Sequence, residues 1–580
     1  MERAVRWSRP LHDRFPPLRF PFPSCRTVAP GAARPVALLA LGPIKLDTVR
    51  ETPTPYLPGG LVTSTLRRAL LMYALISPLP VFATAASVQA QEPRTGAESV
   101  SFERHTSHAE LMDFLYEVQS RTDRMRIRNL ATTNEGREMP LVMLGAPPTA
   151  TPGTAFFSGK PLVFITGNVH GGERAGREGT LQLIRELVLG SQRDLLERVN
   201  VLIVPTLNPD GAEHRSRTNT LGYDMNRDFI VAETPEITAI VEEVLTEWWP
   251  DVYVDVHNGG AYPYNLTYQA TLHPSADQAL VSFARGPLFE AVKSHLATSD
   301  KTLYWYSGPR RDEETGTWSW QTTPPWARKQ HTYGGLHNMV TLLFEIPGRW
   351  TLGEQAANAR EGLIGLIRYV ADNAATVRST IVEARRRTLH APAAEVIVDV
   401  EESAYPEPEE FYVIQDGQPV LVTGTNRTLF VSSRARPRPE AYAFDGNLHD
   451  IARLLRRHAI EVERLAAPAN LNVERFRLDS IAWESAPYQN HLNATPRVST
   501  VPSSMELPEG TYIVRMNQNA ARLVSELMEP DTDDSLVVWN FLDHDLPSQE
   551  GLQRQNQNEP FLLPIYRIMQ TGGMRTTIIQ

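Results

Sequence analysis

Four short apolar runs, rich in β-branched and aromatic residues, constrain the fold of this 580-residue chain more than any other feature. They are PLVFITG (161–167), NVLIVPTLN (200–208), DVYVDVH (251–257) and MVTLLFEI (339–346). The helix-like TLQLIRELVLG follows the first, and TPEITAIVEEVLTEWW precedes the third. Strands alternating with helices predict an α/β fold: a mixed, mostly parallel open sheet with helices on both faces. The amphipathic stretch from Gln355 to Arg387 reads as one or two closing helices, and a change of texture near Pro392 marks a boundary. We therefore expect an α/β domain over 100–388 and a smaller C-terminal α+β domain over 395–580. In the latter, Leu448, Ile451, Leu455 and Ala459 recur at helical spacing. Tyr512 to Met516 is strand-like, Asn517 is placed to cap the following helix, and no catalytic constellation stands out there.

Composition narrows the chemistry. A net charge of -10 is mild for this length and gives no basis for nucleic-acid binding. The single cysteine, Cys25, excludes an internal disulfide framework and any cysteine-rich metal site, so a metal would need His, Asp and Glu. Near the N-terminus, LRRALLMYALISPLPVFATAASVQA (66–90) has the basic, apolar and small-residue layout of a secretory signal. Pro78 and Pro80 interrupt its apolar run, which is short for a membrane span. We read residues 1–90 as a leader with a signal peptide at about 62–90, cleaved after Ala90, leaving no stable membrane span and an exported product. The Pro- and Arg-rich stretch before it lacks periodicity, which suggests a translation start near Val62.

Each apolar run ends on polar residues. PLVFITG leads to His170 and Glu173, and NVLIVPTLN leads to NPDG and a cluster holding Arg215, Arg217, Asp224, Asn226 and Arg227. DVYVDV ends on His257, and MVTLLF ends on Glu345. Open α/β sheets bind ligands at the carboxyl ends of their strands, so all four runs point at one edge. A catalytic zinc takes three N/O ligands and leaves a position for water, and His170, Glu173 and His257 form a His₂Glu set. Gly171 and Gly172 let the HxxE loop turn tightly. Glu345 is placed to take a proton from the activated water, and Arg217 to stabilise a developing oxyanion. Taken singly, HxxE is a solvated turn, His257 a buried structural histidine, Glu345 and Arg217 a surface ion pair and NPDG an ordinary turn; the conjunction favours the metal.

Together HGGE, NPDG, RTNTLGYDMNRDF, VDVH and FEIPG resemble the M14 zinc carboxypeptidase family over about residues 100–385. The resemblance implies one zinc ion per chain on His170, Glu173 and His257, with Glu345 as general base and later acid. It makes Arg217, rather than Arg215, the carbonyl-polarising arginine, and gives Asn226 and Arg227 the substrate's terminal carboxylate, Arg227 by a bidentate fork. Asp224 would hydrogen-bond the first zinc histidine, as ligating histidines usually require. One departure is clear: the family's mobile tyrosine is missing from WSWQTTPPWARKQ, and Tyr333 matches a structural tyrosine instead. Trp318, Trp320, Trp326 and Tyr306 are the aromatic candidates for the pocket, while His273, His331 and His337 read as structural.

The expectation is an exported zinc metallocarboxypeptidase acting on the C-termini of peptides or proteins. The alternatives are the same site acting on cell-wall peptides or N-acyl amino acids, or a non-catalytic peptide- or wall-binding protein on the same fold.

Overall fold

The computed structural model describes residues 92–579 apart from 261 and 558, so the expected signal segment and Cys25 lie outside the described residues. The central sheet has eight strands: β1 (Met125–Thr132), β2 (Glu138–Leu144), β3 (Leu162–Gly167), β4 (Asn200–Val204), β5 (Val252–Asn258), β6 (Leu266–Ala270), β7 (Leu303–Trp305) and β10 (Val340–Ile346). The short strands β8 (Gly308–Arg311) and β9 (Trp318–Gln321) form a hairpin between the last two. Spatial order across the sheet is β1-β2-β4-β3-β5-β10-β6-β7. Its middle, β4-β3-β5-β10, is parallel, and antiparallel pairs flank it. The expected mixed, mostly parallel sheet is therefore the fold, and each of the four apolar runs supplies a middle strand. β3, β4 and β10 are buried along their whole length, as strands covered on both faces must be.

Alternation along β3 and β5 divides the core in two. Val163, Ile165, Val252, Val254 and Val256 pack under the helices Ala175–Val188 and Leu352–Asp372. Phe164 and Tyr253 face the other way, with the segment Pro235–Leu245. The long closing stretch is two helices, Leu352–Asp372 and Ala374–His390, broken at Asn373. The first starts on a capping box, Thr351 and Glu354 each satisfying the other's backbone N–H.

The chain beyond residue 395 adds three groups of strands. β11 (Glu395–Ser403) pairs with β14 (Leu429–Pro437), and β12 (Glu409–Gln415) with β13 (Gln418–Arg427), which joins β9 edge to edge. The third is a seven-stranded sheet of β15 (Ala441–Phe444), β16 (Glu463–Leu465), β17 (Ala469–Trp483), β18 (Ala494–Leu507), β19 (Tyr512–Arg515), β20 (Leu562–Ile568) and β21 (Thr576–Ile578). Its side chains Tyr442 and Phe444, with Trp539 from the segment after the helix Ala521–Met528, belong to the same apolar cluster as Phe164 and Tyr253. One detail differs from expectation: the helix after β19 begins at Ala521 behind Ala520 with no side-chain cap, so Asn517 does not cap it. Among the described residues no helix is long and apolar enough to cross a membrane.

Two motifs meet backbone to backbone. A Cβ on Gly171 would lie 2.0 Å from the carbonyl carbon of Gly211 and 2.4 Å from its oxygen, so the HGGE loop seats directly on the NPDG turn. Neither Gly171 nor Gly172 has a positive φ, so close approach, not turn geometry, is what requires glycine here. Beside Gly172 the nearest atom to such a Cβ is the Arg215 carbonyl oxygen, at 3.7 Å. We expect Gly171→Ala to cost about 3 kcal/mol or more of stability, an overpacking penalty, and Gly172→Ala to stay within about 0.5 kcal/mol. Thermal unfolding of the two variants checks the contrast.

Candidate metal centre

The parallel strands deliver their polar ends to one edge. In the β3–β5 ladder Thr166 stands opposite Asp255, and in the β5–β10 ladder His257 stands opposite Glu345. His170 and Glu173 come from the loop after β3, while Arg217 to Arg227 come from the loop that follows β4 and the short helix Pro209–His214. The residues predicted for the site are thus brought together, with donor atoms of His170, Glu173 and His257 all within 4.8 Å of one another.

Glu173 is the centre of this group. Its Oε1 lies 2.7 Å from His170 Nδ1, and its Oε2 lies 2.9 Å from His257 Nδ1. The two rings are 4.9 Å apart, centroid to centroid. Burial works to raise the Glu173 carboxyl, but the two imidazoles hold it well below the usual carboxylate range. Each histidine turns its far nitrogen to an aspartate: His170 Nε2 to Asp224 Oδ1 at 3.0 Å, and His257 Nε2 to Asp255 Oδ2 at 2.7 Å. Burial would lower the His257 imidazole, yet Asp255 and Glu173 push it well above its ordinary value. Asp255, itself buried, accepts a bond from Thr166 Oγ1 at 2.7 Å.

This donor set fits a zinc ion: two imidazole nitrogens and a carboxylate face one point, and each imidazole has its other nitrogen on a carboxylate. Asp255 escaped the sequence analysis. Its signal was present in VDVH, because residues two apart on a strand share a face.

Arg217 is half exposed and makes a fork to Asp224 Oδ2, with Nε at 3.0 Å and Nη2 at 2.9 Å, while its Nη1 lies 3.4 Å from Glu173. Arg215 ends its helix in the left-handed region (φ 58°) and is exposed. Asp224 is held well below its ordinary pKa: burial opposes, and His170, Arg227 and Arg217 prevail. It also caps the turn Met225–Arg227 through the Asn226 N–H at 3.1 Å. Asn226 is buried, its Oδ1 accepting from the Gln330 N–H at 2.9 Å and its Nδ2 lying 3.3 Å from His257 Nε2. Arg227 is partly exposed and donates to the Asn226 carbonyl at 2.8 Å.

Glu345 is 7 % exposed and packs against Gly259, where a Cβ would lie 3.0 Å from its Oε1. Burial, and then the charge of Glu173, push its carboxyl up to about 8. Two tyrosines feel the same carboxylate. Burial and Glu345 push the Tyr306 hydroxyl up, and burial raises Tyr262, with Glu345 adding to it. Tyr262, whose ring lies over Gly260 and Gly308, was missed in the sequence. Of the other aromatic candidates, Trp320 is fully buried among Tyr264, Tyr304 and Phe411, and Trp318 joins the same cluster. Trp326 carries Lys329 Nζ 4.7 Å from its ring centre. Tyr333 is buried with its hydroxyl 2.7 Å from His458 Nδ1. His273, His331 and His337 are buried outside the ligand group.

A carboxylate held between two imidazoles at the strand ends, with arginines beside it, places the protein among metal-dependent hydrolases. Residues 111–333 match the family model for zinc carboxypeptidases, peptidase M14. The chain is 24% identical over 453 residues to carboxypeptidase 2 of Trichophyton rubrum, covering 71% of this chain and 79% of that one. It is 30% identical over 190 residues to mouse carboxypeptidase M, covering 28% and 42% respectively. The crystal structure of a metallo-carboxypeptidase from Burkholderia cenocepacia aligns with a TM-score of 0.37 and 24% identity, over 45% of this chain and 68% of that one. Residues 111–333 are thus a zinc carboxypeptidase domain of the peptidase M14 kind, and the protein is a zinc-dependent peptide hydrolase of the class that domain defines.

Asp255→Asn should weaken zinc binding about 10- to 100-fold, the usual penalty for removing such a carboxylate, as metal-competition titration would show. A second expectation concerns pH. With the Glu345 carboxyl raised from 4.5 to about 8 in the folded, zinc-free protein, the folded state holds more protons than the unfolded one between those values. Stability therefore falls as pH rises through that window. Zinc-free Glu345→Gln should lose less melting temperature than zinc-free wild type between about pH 5 and pH 8. Equal losses would refute the burial argument.

Proposed function

We propose that the protein removes C-terminal residues from peptides and proteins, with a single zinc ion held by His170, Glu173 and His257. The observation that carries this reading is the shared Glu173 carboxylate, 2.7 Å and 2.9 Å from the Nδ1 atoms of two histidines whose Nε2 atoms rest on Asp224 and Asp255. Zinc bound there supplies Lewis acidity that lowers the pKa of water.

Glu345, nearly buried and opposite His257 in the ladder, accepts the proton of the attacking water and later passes it to the leaving amine. Arg217 sits beside Glu173 with half its side chain exposed, so it can turn its guanidinium onto the carbonyl oxygen as negative charge develops. Arg227, with Asn226 behind it, holds the terminal carboxylate through its planar fork. That grip registers the chain end and makes the enzyme an exopeptidase. Tyr306 and Tyr262, beside Glu345, take the place of the aromatic residue absent from the WSWQTTPPWARKQ segment. The basic, apolar and small-residue layout of residues 66–90 supports export with cleavage after Ala90.

Zinc analysis of the purified protein, followed by mass spectrometry of a peptide library digested with and without chelator, tests the proposal. Chelator-sensitive, stepwise loss of C-terminal residues is expected. Bound zinc without trimming would transfer the assignment to cell-wall peptides or N-acyl amino acids, and absence of zinc would end it. Glu345→Gln should keep its zinc and lose turnover about a thousand-fold. His170→Ala should lose the metal itself.

A further inference from the structure

We propose that Gln489, at the tip of the β17–β18 hairpin, is a positioning residue for the catalytic centre: its side-chain amide clamps the backbone of Asp224 and so sets the element that receives the substrate's carboxylate. The inference rests on the carboxypeptidase reading of the site and extends it to the C-terminal part of the chain.

The geometry is reciprocal. The Asp224 N–H donates to Gln489 Oε1 at 3.1 Å, and Gln489 Nε2 donates to the Asp224 carbonyl at 2.5 Å. One amide thus satisfies both backbone groups of a residue that lies 265 positions away in sequence. Asp224 in turn holds His170 through Oδ1, pairs with Arg217 through Oδ2 and caps the turn that carries Asn226 and Arg227. Asp224 thus links the metal-ligand side of the site to the turn on its carboxylate-binding side.

The hairpin is built to present this amide. Tyr488 and His491 exchange backbone hydrogen bonds of 2.8 Å and 2.9 Å, and Gln489 and Asn490 between them have φ values of 52° and 63°. Two central residues with positive φ make a type I′ turn, which favours Asn-Gly and disfavours a long side chain at its first central position. Gln489 occupies that position although any L residue there is strained. Strain tolerated at one residue, with that residue's side chain on a catalytic element, points to a role for the side chain. The flanks hold the tip in place. His491 Nε2 lies 3.0 Å from Glu233, which also accepts from the Tyr223 hydroxyl at 2.9 Å, and Arg328 lies over the Tyr488 ring at 5.6 Å.

Gln489→Gly separates the amide from the turn, because glycine adopts the left-handed conformation freely. We expect its melting temperature to stay within a few degrees of wild type, because relief of the strained backbone offsets the loss of the two hydrogen bonds. Its KM for peptides with a free C-terminal carboxylate should rise about ten-fold, the loss of two hydrogen bonds, with kcat changed less than about three-fold. Backbone amides of residues 222–228 should exchange with deuterium faster than in wild type. Gln489→Ala should show the same KM with a lower melting temperature. A wild-type KM or unchanged exchange at 222–228 in Gln489→Gly overturns the proposal and leaves the tip a turn only. Failure of the carboxypeptidase reading shows separately, as wild-type protein that trims no peptide; the exchange comparison then decides the clamp by itself.

Discussion

The site depends on one half-buried carboxylate. Glu173 is shared between His170 and His257, with Arg217 and the Asn258 N–H at its rim. An ionised carboxylate out of water costs several kcal/mol unless charges and donors surround it. The partners that compensate it come from different strands, so the carboxylate also fixes how those strands must meet. Pairing β3 beside β5 in parallel brings the HGGE loop to the end of the strand carrying His257. Pairing β5 beside β10 sets Glu345 next to that histidine, on the same side of the sheet.

Charge alternates outward from this centre. The histidines surround Glu173, the aspartates at 224 and 255 lie behind the histidines, and Thr166, Arg217 and the Asn226 N–H satisfy the aspartates. Each imidazole is thereby held with one nitrogen facing inward. This is what keeps a ligand ready to bind a cation without reorganising. Glu345 stands apart from the alternation, near-buried and beside the negative charge of Glu173, and its raised pKa is the consequence.

The C-terminal half belongs to this economy of contacts. Tyr333, on the helix before β10, meets His458, which reaches the Ile230 carbonyl, and Arg328 pairs with the buried Asp534. These links span more than a hundred residues each and run just behind the loop that carries Asn226 and Arg227. The family resemblance covers the first half of the chain, while the support for its substrate loop comes in part from the second.

Much of the first half was legible because its signals are local. An apolar run bounded by polar residues specifies a buried strand, and a short motif at its end specifies ligands that share a loop. Asp255 belongs with these, two residues before His257 on the same strand face. The reasons lying between motifs were not legible. Gly171 reads as a turn glycine, yet it is glycine because the backbone of Gly211 occupies the space a Cβ would take. The expected cap at Asn517 failed because the chain runs on to Ala521 before turning into a helix.

Sequence alone determined the kinds of chemistry available: strands from β-branched runs, a sulfur-free donor set from the cysteine count, and the order of ligand, clamp and base along the chain. Only the tertiary structure decided that the Gly211 backbone demands glycine at 171, that Arg217 forks onto Asp224, and that a hairpin far along the chain grips the Asp224 backbone. The physical reason is range. Periodicity and motifs report contacts within a few residues, whereas hydrogen-bond partners are chosen among whatever groups the packed chain brings within 3 Å or so.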